Sequence, residues 1–383
     1  MLHSDVTKMF LYIIRLGIGT ETPESSRDFT MPEHVDWNDI QALAERQGLA
    51  AVFLDGINQL PQSHRPPKLL LLQWIGTTLQ DYEFRYKQYK KALGEMARFY
   101  KEHGIKMMVL KGYACSIDWP KPEHRPCGDI DIWQFGKQKD ADALIESLEF
   151  RDESLESVEK VEKVEKVKKI KVDRSHHHHT VFYWNEFMVE NHYDFLNVHH
   201  HKSNVALEKI FKELGQDDSY SVEVNGETVY LPCPNLHALF LLRHTMNHFA
   251  TTKMFLRQLL DWAFFVQHHR DEIDWIWLEE QLEVFGMKPL YDILNTICVE
   301  DLGFSSQLFP MAQVSPLLRE RVLKEILEPE RAGIAPKRLI PRIIFKYRRW
   351  RANAWKHRLC YKESMCSAFW SGIKNHLLKP SSI

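Results

Sequence analysis

Val109–Phe135, VLKGYACSIDWPKPEHRPCGDIDIWQF, is the stretch on which the reading of the chain turns. Within it, Asp129-Ile130-Asp131-Ile132-Trp133 alternates charged and apolar residues. Side chains alternate faces along a strand, so Asp129 and Asp131 share one face and Ile130 and Ile132 the other. Two carboxylates so close repel one another and resist desolvation, which makes sense where a divalent cation neutralises them. Oxygen ligands with a phosphate co-ligand suit Mg²⁺. Just upstream, Lys106–Leu110 is a short apolar run that ends in Lys111-Gly112. A glycine there lets backbone approach a ligand closely. Lys111 would reach a phosphate as a point charge, and Arg125 would grip one through two parallel hydrogen bonds.

Working outward, residues 1–105 read as a helical region. Trp37–Leu49 carries apolar residues at helical spacing, with Asp36 as N-cap and Gly48 near its end. A second helix covers Ala50–Leu60. From Leu69 to about His103 a single long helical pattern runs, with Gly76 and Gly94 as points where it would break, and its aromatics read as packing residues. Residues 106–234 are expected to hold an α/β core. After the DIDI strand come a helix over Lys137–Leu148 and a low-complexity insertion over 151–175. In the latter, SVEKVEKVEKVKKIKV repeats its apolar residues every third position. Steps of three slip by ~60° around a helix, so no stable apolar stripe forms. An exposed, partly helical segment and a coiled-coil partner site are the two readings. His176–His179 reads either as a metal-binding run or as histidines flanking the start of a strand, one or two of them facing the cleft; adventitious Ni²⁺ or Zn²⁺ binding is expected on both readings.

Thr180–Trp184 and Phe187–Asn197 read as strands joined near Asn185-Glu186, with Glu190, His192 and Asp194 on one face of the second. Val205–Leu214 reads as a helix. Ser219–Leu231 reads as a hairpin, because Asn225-Gly226 suits a type I′ turn. Residues 235–383 are helical again. His244 and His248 have metalloprotease spacing, but Thr245 stands where the general-base Glu belongs, so zinc hydrolysis is disfavoured. Arg257 and Asp261, four apart, form either an ion pair or part of a ligand contact.

The pattern LKG…R…DIDI resembles a bacterial nucleotidyltransferase family of the DNA polymerase beta-like superfamily. WNDIQALAERQGL, Val189-Glu190-Asn191-His192 and Arg257-Gln258-Leu259-Leu260-Asp261 resemble further segments of that family. The resemblance implies an α+β fold, with a polymerase beta-like mixed-sheet core between N-terminal and C-terminal helical regions. It also implies two Mg²⁺ held by Asp129, Asp131 and Glu190, with Asp194 as second choice for the third carboxylate. His192 and Asp194 would orient the carboxylates. Lys111, Gly112, Arg125, Lys253 and Arg257 would contact a nucleoside triphosphate, ATP by default. The acceptor would be a hydroxyl on a small molecule or sugar, on a protein, or at an RNA end. A rival reading is a nucleotide- or partner-binding module without turnover, motivated by Gly112-Tyr113, where the superfamily has a second small residue, and by the repetitive insertion.

Composition bounds the rest. The chain has 383 residues, 44% hydrophobic and 27% charged, with a net charge of −2, so no global field argues for a polynucleotide partner. Its 11 Trp and 21 Phe argue against disorder. Six scattered cysteines without a CxxC pair read as reduced thiols. No export signal is read and no run reaches the ~18–20 apolar residues of a membrane span. A cytoplasmic protein is expected, with membrane-peripheral attachment as the variant. That variant rests on residues 337–362, where every formally charged side chain is positive and aromatics interleave. An anionic membrane surface, a nucleic acid and a solvated helix with inward aromatics are the three readings of this tail.

Overall fold

The computed structural model describes residues 5–23, 32, 35–151, 167–199, 201–329, 336 and 338–367. The fold is α+β, a six-stranded mixed sheet accompanied by many helices. Its described residues fall into two compact units. One contains Gln88–Ala114 and Gly128–Cys233 and holds the sheet; the other is helical and draws on the chain up to Lys87, on Cys115–Cys127 and on Pro234–Ser367.

The strands are β1 (Met108–Val109), β2 (Ile130–Trp133), β3 (Glu149–Arg151), β4 (Val167–Lys169), β5 (His179–Trp184), β6 (Phe187–His192), β7 (Ser221–Val224) and β8 (Glu227–Tyr230). The main sheet runs β5-β6-β2-β1-β8-β7. β2 is antiparallel to β1 and parallel to β6; β1 is parallel to β8; the two outer pairs are hairpins. Asn225 (φ 51°) and Gly226 (φ 81°) turn the second hairpin with the positive dihedrals that a type I′ turn requires.

Alternation does the positioning. Ile130, Ile132 and Val189 are fully buried, and Ile130 lies opposite Val189 on one face. The adjoining Phe187 meets Tyr89, on the helix Arg85–Glu102, edge to face at 5.3 Å between ring centroids. Trp133 packs on Phe195 at 4.7 Å, and Phe195 on Phe211 of the helix Lys202–Leu214 at 5.7 Å. Glu208 of that helix accepts the backbone N–H groups of Phe195 and Leu196, fixing the chain just after β6.

Glu208 carries a pH dependence. Burial pushes its carboxyl up to about 7, against 4.5 for a free side chain. The folded chain therefore binds more protons than the unfolded one between those values, and its stability falls as pH rises from about 4.5 to about 7. Glu208→Gln should flatten that decline, which amounts to roughly 1–3 kcal/mol, in denaturant titrations across the window.

Two expectations are corrected here. The end of the VEK segment is extended: Val167–Lys169 pairs antiparallel with Glu149–Arg151, and Asp173 bridges to Val181. A period of three did not predict that pairing, and residues 152–166 lie outside the described residues. The long helix from Lys68 changes winding rather than ending: α-helix to Thr77, π-helix over Thr78–Phe84, α-helix from Arg85 to Glu102. Gly94 does not interrupt it.

In the helical unit, Asp36 caps the helix Trp37–Arg46 by accepting the N–H groups of Asn38 and Asp39. The helices Asp5–Ile18 and Ala50–Gln59 touch backbone to backbone. A Cβ on Gly17 would lie 2.1 Å from the Val52 carbonyl oxygen, and one on Gly56 2.0 Å from that of Ile13. None of the described helices is long and apolar enough to cross a membrane.

Candidate active site

The parallel register of β2 and β6 sets Asp131 beside Glu190 and Trp133 beside His192. Asp129 precedes β2 and is half-buried, whereas Asp131 is 1% exposed. Lys111 Nζ lies 2.7 Å from Asp131 Oδ1, and His192 Nε2 lies 3.2 Å from the same oxygen. His192 Nε2 is also 3.6 Å from Glu190 Oε2. Three carboxylates thus stand against one ammonium and one imidazole, a surplus of negative charge in a largely desolvated site.

Electrostatics follow from this placement. Burial pushes the Asp131 carboxyl up, but Lys111 and His192 together hold it far below the usual carboxylate range. Glu190 behaves likewise: burial raises it, and the His192 contact brings it below its ordinary value. Asp129 goes the other way, raised by burial and by Asp131. Burial opposes the charge on Lys111, yet Asp131, Asp129 and Glu190 keep it ionised. His192 Nδ1 sits 3.1 Å from the Asp194 carbonyl oxygen, which only accepts, so that nitrogen carries a hydrogen. Although burial disfavours its charged form, hydrogen bonds to Asp131 and Glu190 raise His192 to about 9.

Gly112 makes the bend after β1. Its φ is +58°, and an added Cβ would lie 2.4 Å from Tyr89 Oη. That hydroxyl donates to the Asp129 carbonyl at 3.0 Å, tying the approach to β2 to the helix behind it. The sequence marks Tyr89 only as an apolar-face aromatic; its bond to Asp129 depends on a tertiary contact that has no local signal. Gly112→Ala should cost about 2–3 kcal/mol through the left-handed backbone and the displaced tyrosine. Chemical denaturation measures this, and Tyr89→Phe should return part of the loss.

The sheet unit therefore brings Lys111, Gly112, Asp129, Asp131, Glu190 and His192 together. Asp194 directs its carboxylate to Lys212 and meets the site through its carbonyl alone. Arg125, Lys253 and Arg257 belong to the helical unit. There Arg125 Nε and Nη2 donate to the two oxygens of Asp261 at 2.6 and 2.8 Å, and Trp119 Nε1 adds a 3.0 Å bond to the same carboxylate. Asp261 is paired with Arg125, not merely spaced four residues from Arg257. Lys253 lies over the Phe255 ring and, with Arg46, Gln47 and Leu327, lines a cavity of about 330 Å³. Arg257 packs beside Gly48.

The histidine run ends inside the sheet unit. His179 opens β5, is buried, and lies directly across from His192. His178 is half-buried just before it. Burial pushes His178 down to about 2 and His179 to about 4, so both are neutral at pH 7.

A strand–glycine bend, a carboxylate pair and a third carboxylate on the adjoining strand form a constellation suited to a cation-bound polyphosphate. No curated protein and no solved structure matches the chain. The family described as uncharacterised nucleotidyltransferase matches residues 33–301, and this chain belongs to it.

Proposed function

We propose that the chain transfers a nucleoside monophosphate from a nucleoside triphosphate, ATP by default, to a hydroxyl acceptor in a Mg²⁺-dependent reaction. The observation that carries this reading is Asp131 beside Glu190, with Lys111 against Asp131 beneath the Gly112 bend. The likeness to the polymerase beta superfamily rests on the same residues. The donor set fits Mg²⁺: oxygen ligands from Asp129, Asp131 and Glu190, and a negative surplus that Lys111 does not cancel. Those three carboxylates would hold two ions, which when bound supply charge neutralisation at the triphosphate and lower the acceptor hydroxyl's pKa.

The chain's own groups do the rest. Gly112 lets the backbone approach the phosphates without a Cβ, and Lys111 offsets their charge. Asp194 and His192 fix the orientation of the carboxylates, since the Asp194 carbonyl locks one imidazole nitrogen and the other faces Asp131 and Glu190. The acceptor oxygen forms a bond to the α-phosphorus as the α–β bridging bond breaks and pyrophosphate departs. Glu190, partly exposed, would share in holding the cation beside the acceptor hydroxyl, whose proton passes to solvent. Catalysis of this kind is mainly alignment and charge stabilisation. Pyrophosphate release from each NTP with Mg²⁺, across hydroxyl acceptors of the three classes, tests the proposal. Nucleotide binding with no release from any of them would favour a module without turnover.

A membrane-peripheral placement within the cytoplasm has its own observation. On the helix Leu339–Ala352, Ile340, Ile343, Ile344 and Tyr347 are 70, 57, 46 and 53% exposed, at the spacing of a single stripe. The charged residues around them are Arg342, Lys346, Arg348, Arg349 and Arg351, all basic. Vesicles containing phosphatidylserine should co-sediment the full chain, and Ile343→Ser/Ile344→Ser should reduce binding about tenfold or more. Equal binding to neutral vesicles would contradict the electrostatic part of this reading, and preference for single-stranded RNA would point to the nucleic-acid alternative.

A further inference from the structure

The buried histidines carry a second inference, which does not rest on nucleotidyl transfer. His178, His179 and His192 offer ring nitrogens that all lie within 4.8 Å of one another. The backbone sets this arrangement. His179 and His192 are direct cross-strand partners, and the His178 carbonyl accepts the N–H groups of Tyr193 and Asp194 at 3.1 and 3.0 Å. The ring centroids are 4.3 Å apart for His178 and His179, 5.5 Å for His178 and His192, and 5.2 Å for His179 and His192.

Packing alone does not account for the cluster. His179 is 6% exposed, yet neither of its ring nitrogens has a hydrogen-bond partner, and His178 Nδ1 has none either. Buried polar nitrogens left unpaired are costly, and such groups call for an explanation. A cation takes up the unpaired nitrogens of His178 and His179; at His192 it would replace the Nε2 proton now shared with Asp131 and Glu190, while Nδ1–H stays on the Asp194 carbonyl. Glu190 Oε1 lies 3.7 Å from His179 Nε2, beyond hydrogen-bond reach but well placed to add a carboxylate ligand. Two nitrogens bound to one ion at ~2.1 Å each lie no more than ~4.2 Å apart, so modest ring rotations close the set.

We propose that His178, His179 and His192, with Glu190, form a site for a borderline divalent metal of the Zn²⁺, Co²⁺ or Ni²⁺ class. It shares the Glu190–His192 edge with the carboxylate site. Imidazole nitrogens favour these ions, whereas Mg²⁺ takes oxygen ligands, so the two sites differ in metal preference.

The test uses the full chain, stripped by chelator and titrated with Co²⁺ alone. Two variants separate the inner pair from the outer half of the run: His176→Ala/His177→Ala and His178→Ala/His179→Ala. Wild type and the outer variant should bind Co²⁺ with the same affinity and the same visible absorption band. The inner variant should lose the band and bind at least about tenfold more weakly. Loss of the site in the outer variant, or its survival in the inner one, would overturn the proposal in favour of surface chelation. If the inner variant does not fold, X-ray absorption of the Zn²⁺-loaded outer variant decides: two or three imidazoles around the metal support the site, and one or none refutes it. Because no nucleotide is present, failure here leaves the transfer reading standing, and failure of transfer leaves this site standing.

Discussion

Asp131→Asn should lower nucleotide-dependent pyrophosphate release by at least about 10²–10³-fold while leaving the sheet unit folded. Asn keeps the shape of the side chain and an oxygen that accepts from Lys111 and His192, so the local hydrogen bonds survive. It removes the one fully buried carboxylate of the three, a group that would hold the cations in the proposed reaction. Loss of that charge weakens cation binding and leaves Lys111 without its counterion, so a modest stability loss is expected as well. Circular dichroism and denaturant titration separate the two effects. A folded Asp131→Asn chain with unreduced turnover would contradict the catalytic role of the pair.

Arg125→Met should destabilise the helical unit by about 3–5 kcal/mol, because it strands the buried Asp261 carboxylate. Burial disfavours the Arg125 charge, and Asp261 more than restores it, holding the guanidinium above its ordinary value. Adding Asp261→Asn should recover part of the loss: it removes the unpaired charge and keeps an acceptor for Trp119 Nε1. The outcome also discriminates between two roles for Arg125. If its main task is to hold phosphate, Arg125→Met leaves the denaturation midpoint in place and weakens nucleotide binding. If it is the strut that the bidentate bond describes, the midpoint falls even without nucleotide.

Much of the sheet unit is legible in sequence because its signals are local. Alternation in DIDI and in FMVENH sorts charged from apolar faces, and Asn225-Gly226 announces its turn. Lys111-Gly112 marks a bend that requires a left-handed residue. What the sequence does not show is non-local. Nothing in either strand states that β2 pairs parallel with β6 in the register that sets Asp131 beside Glu190. His179 is buried because β5 pairs with β6 and sets it across from His192, a non-local placement that the run of four histidines does not announce. The Tyr89 bond to Asp129 and the Arg125–Asp261 pair join residues 40 and 136 positions apart. Likewise the period of three in the VEK segment speaks against both helix and strand, yet Val167–Lys169 pairs with Glu149–Arg151 because a partner strand lies alongside.

Calorimetric titration of the full chain with ATP, with and without Mg²⁺, tests the acidic site most directly. Wild type should bind ATP saturably only when the cation is present. Asp131→Asn/Glu190→Gln, still folded by circular dichroism, should show no such binding. Cation-independent ATP binding, or undiminished Mg²⁺-dependent binding by the double variant, would contradict it.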